Sequence, residues 1–187
     1  ALHHLGADYK FETPVYRRGA LREKTLTGDL ILVAKGDLTF GGRTLSDGTM
    51  AFTDSDHTYA DPVSATAAVT PTEPLAGLID LARQVKAAGI ERVPGDVLVD
   101  DRLFDRDRSS GSGPTVVTPI MVNDNVVDVV VTPGAKAGDP ATVRTRPETA
   151  FFHIDPLVTT ADEKAKASIE ILGVGPGPAI GNAYKHL

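Results

Sequence analysis

Apolar and polar positions follow two different periods along this chain. Residues Lys10 to Arg18 alternate loosely around Phe11, Val15 and Tyr16, and Gly28-Asp-Leu-Ile-Leu-Val-Ala34 is an apolar run entered from a turn, so two paired strands are predicted. Ahead of them, Leu2, Leu5 and Gly6 read as the last turn of a helix with its C-terminal glycine, a helix expected to begin upstream of Ala1. From Gly36 to Pro74 the pattern dissolves into Gly, Asp, Thr and Ser, with Gly41-Gly42 and Asp47-Gly48 as turn signals. The period then changes. Leu75, Leu78, Ile79, Ala82, Val85 and Ala88 recur at helical spacing behind Thr72, Glu73 and Pro74, which predicts a helix from Thr72 ended by Gly89. This stripe is expected to be buried on the next strand, within Ile90-Glu-Arg-Val-Pro-Gly-Asp-Val-Leu-Val-Asp100.

Strand, helix and strand in succession are the signature of a crossover unit. The later half differs. Val116-Val117, Val126-Val-Asp-Val-Val-Val131, Ala141 to Arg146, Thr149 to Ile154 and Ser168 to Leu172 are short apolar runs bounded by Pro, Gly or Asp, with no helix between them to serve as a crossover. They predict antiparallel pairing. The fold class expected is α+β, a strand-helix-strand layer followed by a mainly antiparallel β unit. The charged and Ser/Gly-rich stretch Asp101-Arg-Leu-Phe-Asp-Arg-Asp-Arg-Ser-Ser-Gly-Ser-Gly-Pro114 suggests a division into residues 1–104 and 115–187 around a flexible connection at 105–114. Gly173-Val-Gly-Pro-Gly-Pro178 is too rich in breakers for a helix or central strand and reads as a connector.

Composition narrows the class of protein. At 187 residues with 41% apolar and 24% charged positions, the chain is long enough for a self-supporting core of one domain or two small ones. Its formal charge of −6 supplies no general attraction for phosphate backbones or anionic lipid, so nucleic acid is not expected as a partner. No stretch approaches the roughly 20 apolar residues that span a bilayer, and no signal peptide is legible at the start. The absence of cysteine excludes disulfides, thiolate metal sites and a cysteine nucleophile.

Several of these segments, in this order and spacing, resemble the low-molecular-mass class C penicillin-binding proteins, a family of serine D-Ala-D-Ala carboxypeptidases and endopeptidases. The segment Ala1-Leu-His-His-Leu-Gly-Ala-Asp-Tyr-Lys-Phe-Glu-Thr-Pro-Val-Tyr16 is similar to the stretch shortly after the family's nucleophile helix. Gly28-Asp-Leu-Ile-Leu-Val-Ala-Lys-Gly-Asp37, Gly89-Ile-Glu-Arg-Val-Pro-Gly-Asp-Val-Leu-Val-Asp-Asp-Arg-Leu-Phe104 and Val122-Asn-Asp-Asn-Val-Val-Asp-Val-Val-Val-Thr-Pro-Gly134 resemble the blocks that come next. Gly138-Asp-Pro-Ala with Asp155-Pro-Leu-Val-Thr-Thr160 resembles the family's subsequent stretch. One departure is Val117-Thr-Pro-Ile-Met-Val-Asn, where the family usually has Pro-Val-Ser-Ala-Leu. In these enzymes two small inserted domains interrupt the catalytic domain between its first and second motifs. The resemblance implies that this chain is that interruption.

The family's acyl transfer needs a serine with a lysine three residues later, a Ser-x-Asn and a Lys-Thr-Gly. Ser46, Ser55, Ser64, Ser109, Ser110, Ser112 and Ser168 are followed at that spacing by Thr49, Thr58, Ala67, Ser112, Gly113, Thr115 and Ile171. Asn123-Asp-Asn125 lacks the serine of the second motif, and Lys24-Thr25 is followed by Leu26. Asp54-Ser-Asp-His-Thr-Tyr-Ala-Asp61 offers oxygens to a cation but has Tyr59 where a calcium loop needs glycine. His57 has no second histidine at coordinating spacing, and His3-His4 are adjacent. Asp101 to Arg108 reads as a charged soluble face. No catalytic, cofactor-binding or metal-binding residue is therefore assigned, and no cofactor is expected.

The reading that results is the non-catalytic inserted portion of a carboxypeptidase or endopeptidase acting on peptidoglycan, inactive as a peptidase alone. Its expected partner is the rest of that enzyme, with peptidoglycan a further one, in the periplasm or at the cell surface as the resemblance implies. The alternative is a stand-alone cell-wall or protein-binding module that kept this fold.

Overall fold

The computed structural model describes residues 2–6, 8–52, 69–108, 114, 116–151, 153–165 and 169. Contacts group the chain into two compact units interleaved in sequence: Ala1–Arg43 with Glu73–Asn125, and Thr44–Thr72 with Val126–Leu187. Residues 105–114 fall inside the first unit. The fold is α+β, with two α-helices and small sheets among the described residues. Among the described residues no helix is long and apolar enough to cross a membrane.

In the first unit, α1 (Leu2–Leu5) precedes a hairpin of β1 (Val15–Arg22) and β2 (Thr25–Val33). The pair predicted from the sequence is present, but its first strand is shifted: β1 starts at Val15, and residues 10–14 with Phe11 lie ahead of it. Its register runs from Val15 opposite Leu32 to Arg22 opposite Thr25, which leaves a two-residue turn at Glu23 and Lys24. Both turn residues have positive φ, 46° and 64°, the geometry that matches the twist of a tight hairpin. Midway, Gly19 faces Gly28 at φ 118° and 146°, and a Cβ on either would overlap the backbone oxygen of Thr27 or Arg18. Only glycine allows the strands to approach there.

Helix α2 (Ala76–Ala87) is entered from a turn rather than starting at Thr72. The Glu73 carboxylate accepts the Leu75 N–H at 3.0 Å and the Glu73 carbonyl accepts that of Ala76 at 3.1 Å, so Glu73 holds the turn that leads into the helix. Gly89 ends it as expected, donating to the Lys86 carbonyl at 3.0 Å. The stripe is only partly covered: Leu75 and Val85 are half-buried, whereas Leu78 is 38% and Ile79 47% exposed, so the expected burial of the whole stripe does not hold, and Leu81, outside the stripe, is half-buried instead. The reason lies at Gly77. Its missing side chain lets the first turn rest on the Phe40 carbonyl, where a Cβ would overlap that oxygen, and this contact orients the helix.

Strand β3 (Val97–Asp100) pairs parallel with β2, Leu30 opposite Val97 to Val33 opposite Asp100, completing the crossover in a sheet ordered β1-β2-β3. It starts later than the apolar run suggested because Pro94 has no N–H to pair and Gly95 packs on the Gly28 carbonyl. Leu26, Leu32, Ala34, Phe40, Ile90 and Met121 form the core. Within 105–114, β4 (Asp107–Arg108) pairs antiparallel with β5 (Val116–Val117).

In the second unit, β6 (Asp128–Thr132) pairs antiparallel with β7 (Thr142–Arg146), as the later half predicts, and Pro140 bridges Thr159 antiparallel. The described part of the predicted strand at 149–154 is not a strand. There the backbone N–H of Thr149 goes to the Thr145 hydroxyl at 3.3 Å and that of Phe151 to the Thr149 hydroxyl at 3.1 Å, local bonds that replace a ladder. The run at 168–172 lies outside the described residues apart from Ile169.

Candidate functional site

Three clusters of polar groups stand out among the described residues. The first is the turn Asn123–Asn125, where all three residues are left-handed, φ 50°, 55° and 56°. Asn and Asp tolerate this region best among side-chain-bearing residues, yet three in a row still cost on the order of 1–2 kcal/mol each before compensation. Compensation is at hand. Asp124 accepts a 2.6 Å ion pair from Arg43, with both side chains mostly buried. The Asn125 amide donates to the Val116 carbonyl at 3.1 Å and the Thr118 hydroxyl at 2.8 Å, and that hydroxyl donates to the Ile120 carbonyl at 2.5 Å. Asn125 thus fastens the 116–120 segment. Its resemblance to the asparagine of a catalytic Ser-x-Asn ends there, since the amide is spent on backbone and hydroxyl partners.

The second cluster lies on one face of the sheet. Asp29 accepts Arg18 at 2.9 and 2.5 Å and the backbone N–H of Asp96 at 2.9 Å, so one carboxylate ties β1, β2 and the entry to β3. The Asp96 N–H, and then Arg18, hold the Asp29 carboxyl below the usual carboxylate range. At the other end, Arg102 grips Asp100 through two 2.7 Å bonds, which lowers the Asp100 carboxyl to about 2 and raises the Arg102 guanidinium.

The third cluster belongs to the second unit. Asp128, on β6, is 1% exposed and accepts from Arg146, on β7, at 3.1 Å. Arg146 also donates to the carbonyls of Thr70 and Thr72 at 2.7 and 2.5 Å. Sequence reasoning missed this pair; the signal was an aspartate set inside the Val-rich run at 126–131.

None of the clusters holds a nucleophile beside a base. Among the described residues Ser46 is the one serine, exposed in the turn of the Thr44–Met50 bridge. Ser55, Ser64, Ser109, Ser110, Ser112, Ser168 and the run Asp54–Asp61 with His57 lie outside the described residues. Lys24 occupies the hairpin turn and pairs with Glu91 at 2.8 Å. His3 and His4 meet edge to face at 5.0 Å. Among the described residues no group of three or more His, Asp or Glu is placed to hold a metal ion.

The model of the D-Ala-D-Ala carboxypeptidase 3 (S13) family matches residues 1–172. No curated protein matches the chain.

Proposed function

The chain belongs to the D-Ala-D-Ala carboxypeptidase 3 (S13) family, and from that premise we propose that it is the non-catalytic inserted portion of such an enzyme. Its two compact units correspond to the two inserted domains that flank and shape the active-site cleft of the class C penicillin-binding proteins. The parent acts on peptidoglycan outside the cytoplasm, and the catalytic domain is the chain's partner.

One observation carries this reading: the match spans residues 1–172, yet the sequence contains no Ser-x-x-Lys, Ser-x-Asn or Lys-Thr-Gly. The described polar clusters agree with it, because their carboxylates, amides and guanidinia are bonded to one another and to backbone.

Covalent labelling with a fluorescent β-lactam tests the proposal, since trapping requires the activated serine. This chain stays unlabelled, whereas a product of the longer reading frame carrying Ser-x-x-Lys upstream and Lys-Thr-Gly downstream is labelled. Stoichiometric acylation of any serine in the 187-residue chain overturns the non-catalytic assignment. A reading frame bounded by these residues and carrying its own signal peptide replaces it with a stand-alone binding module.

A further inference from the structure

Among the described residues, strand β3 lies at the edge of its sheet. In a parallel pair the residues of one strand alternate between those that bond the neighbour and those that face away. Leu30 donates to the Asp96 carbonyl and Ala34 to that of Asp100, and this phase places the N–H and C=O of Val97 and Val99 on the open side. Among the described residues these groups have no backbone partner beyond the sheet. The side chains are open too: Val97 is 67%, Leu98 39% and Val99 53% exposed, one facing one side of the sheet and two the other. Natural edges are normally blunted by charge, proline or a cover, and none of these falls within Val97–Val99.

We propose that this edge accepts an extended peptide strand with alternating apolar residues between basic ends. The backbone groups of Val97 and Val99 supply the ladder, and the valines supply the apolar contact. The ends set the charge. Asp29 is engaged by Arg18, and Asp100 by Arg102 with Lys35 also acting on it, which leaves the carboxylates of Asp96 and Asp101, one at each end, without an ion pair among the described residues. A second copy is the weaker occupant, because three partly exposed side chains fall well short of the ~800 Å² each partner of a stable dimer buries.

The test uses the whole chain and a synthetic peptide, Lys-Thr-Val-Thr-Val-Thr-Lys, with a Glu-ended peptide of the same core as control. Amide NMR is expected to show saturable slowing of exchange at the N–H groups of Val97 and Val99, with Leu98 already protected by β2. The Glu-ended peptide binds about fivefold more weakly, the scale of two exposed ion pairs, and the Asp96→Asn, Asp101→Asn double variant removes that difference. Val99→Pro deletes an outward donor without touching the β2 ladder and abolishes binding. If that variant fails to fold, the amide exchange and the double variant still decide. Unprotected Val97 and Val99 at millimolar peptide, or equal binding of the two peptides, overturns the proposal. Concentration-dependent self-association that protects these amides without peptide assigns the edge to a second copy and also overturns it.

Discussion

Arg146 reaches Asp128 across 3.1 Å from the facing strand, and the same guanidinium holds the carbonyls of Thr70 and Thr72. The acid is 1% exposed, so the guanidinium balances a charge held away from water. Arg146→Met is expected to destabilise the second unit by about 3–5 kcal/mol, because it removes the guanidinium that balances a buried carboxylate. Arg146→Met with Asp128→Leu should recover most of the loss. Urea denaturation of both variants checks this, and a double variant no more stable than the single one refutes the pairing argument.

Gly77→Ala tests the seat of α2. In an exposed helix this change gains up to ~1 kcal/mol from propensity. Here the added methyl overlaps the Phe40 carbonyl, so a net loss of about 1–3 kcal/mol is expected. Ala82→Gly, on the exposed part of the helix, serves as the propensity control. A melting temperature raised by Gly77→Ala would exclude the close contact.

Leu78→Asp should be mild. Leu78 is 38% exposed and lies in the first turn, where a carboxylate meets the positive end of the helix, so the cost is expected to stay under about 1 kcal/mol. Leu26→Ala, at a residue with 0% exposure, should cost roughly 2–5 kcal/mol. Equal losses in the two variants, read by circular dichroism melts, would place Leu78 back in the core.

Acid should loosen the first unit in a defined window. Asp100 titrates at about 2 in the folded chain against 3.8 for an ordinary aspartate, and Asp29 is shifted the same way. The folded state therefore binds these protons less readily than the unfolded one. The stabilisation is present above about 3.8 and is lost as pH falls through the folded value. Carbon NMR of the carboxylates tracks each group, and Asp100→Asn should flatten the acid limb of the stability curve. An Asp100 titrating near 4 would show that Arg102 does not hold it in solution.

Local pattern carried the strands around Gly28–Ala34, the helix ended by Gly89 and the antiparallel pairing of residues 128–146. These rest on interactions between near neighbours, which periodicity reports directly. What covers a stripe is another matter: the period of Leu78 and Ile79 says that they share a face, while Gly77 against Phe40 decides where that face points. The Arg43–Asp124 and Arg146–Asp128 pairs each join residues distant in sequence, so periodicity does not report them, and only the aspartate inside the Val-rich run hints at the second. The left-handed Asn123-Asp-Asn125 turn is legible in part, since three consecutive Asx residues carry the tolerance for that conformation.

The interleaving of the two units also sets an order of events during synthesis. The β1–β2 hairpin can close as soon as it leaves the ribosome, but its parallel neighbour β3 emerges only after residues 44–72 have passed. Those residues in turn wait for the stretch from Val126 onward, and the carbonyls of Thr70 and Thr72 wait for Arg146. A nascent chain halted at Asn125 therefore holds every residue of the first unit and an orphaned part of the second. The excursion itself is inexpensive, since loop-closure entropy rises by only about 0.6 kcal/mol for each doubling of length. Its effect is on timing: the second unit is the last to acquire its partners and the one most open to chaperones and proteases while the chain grows.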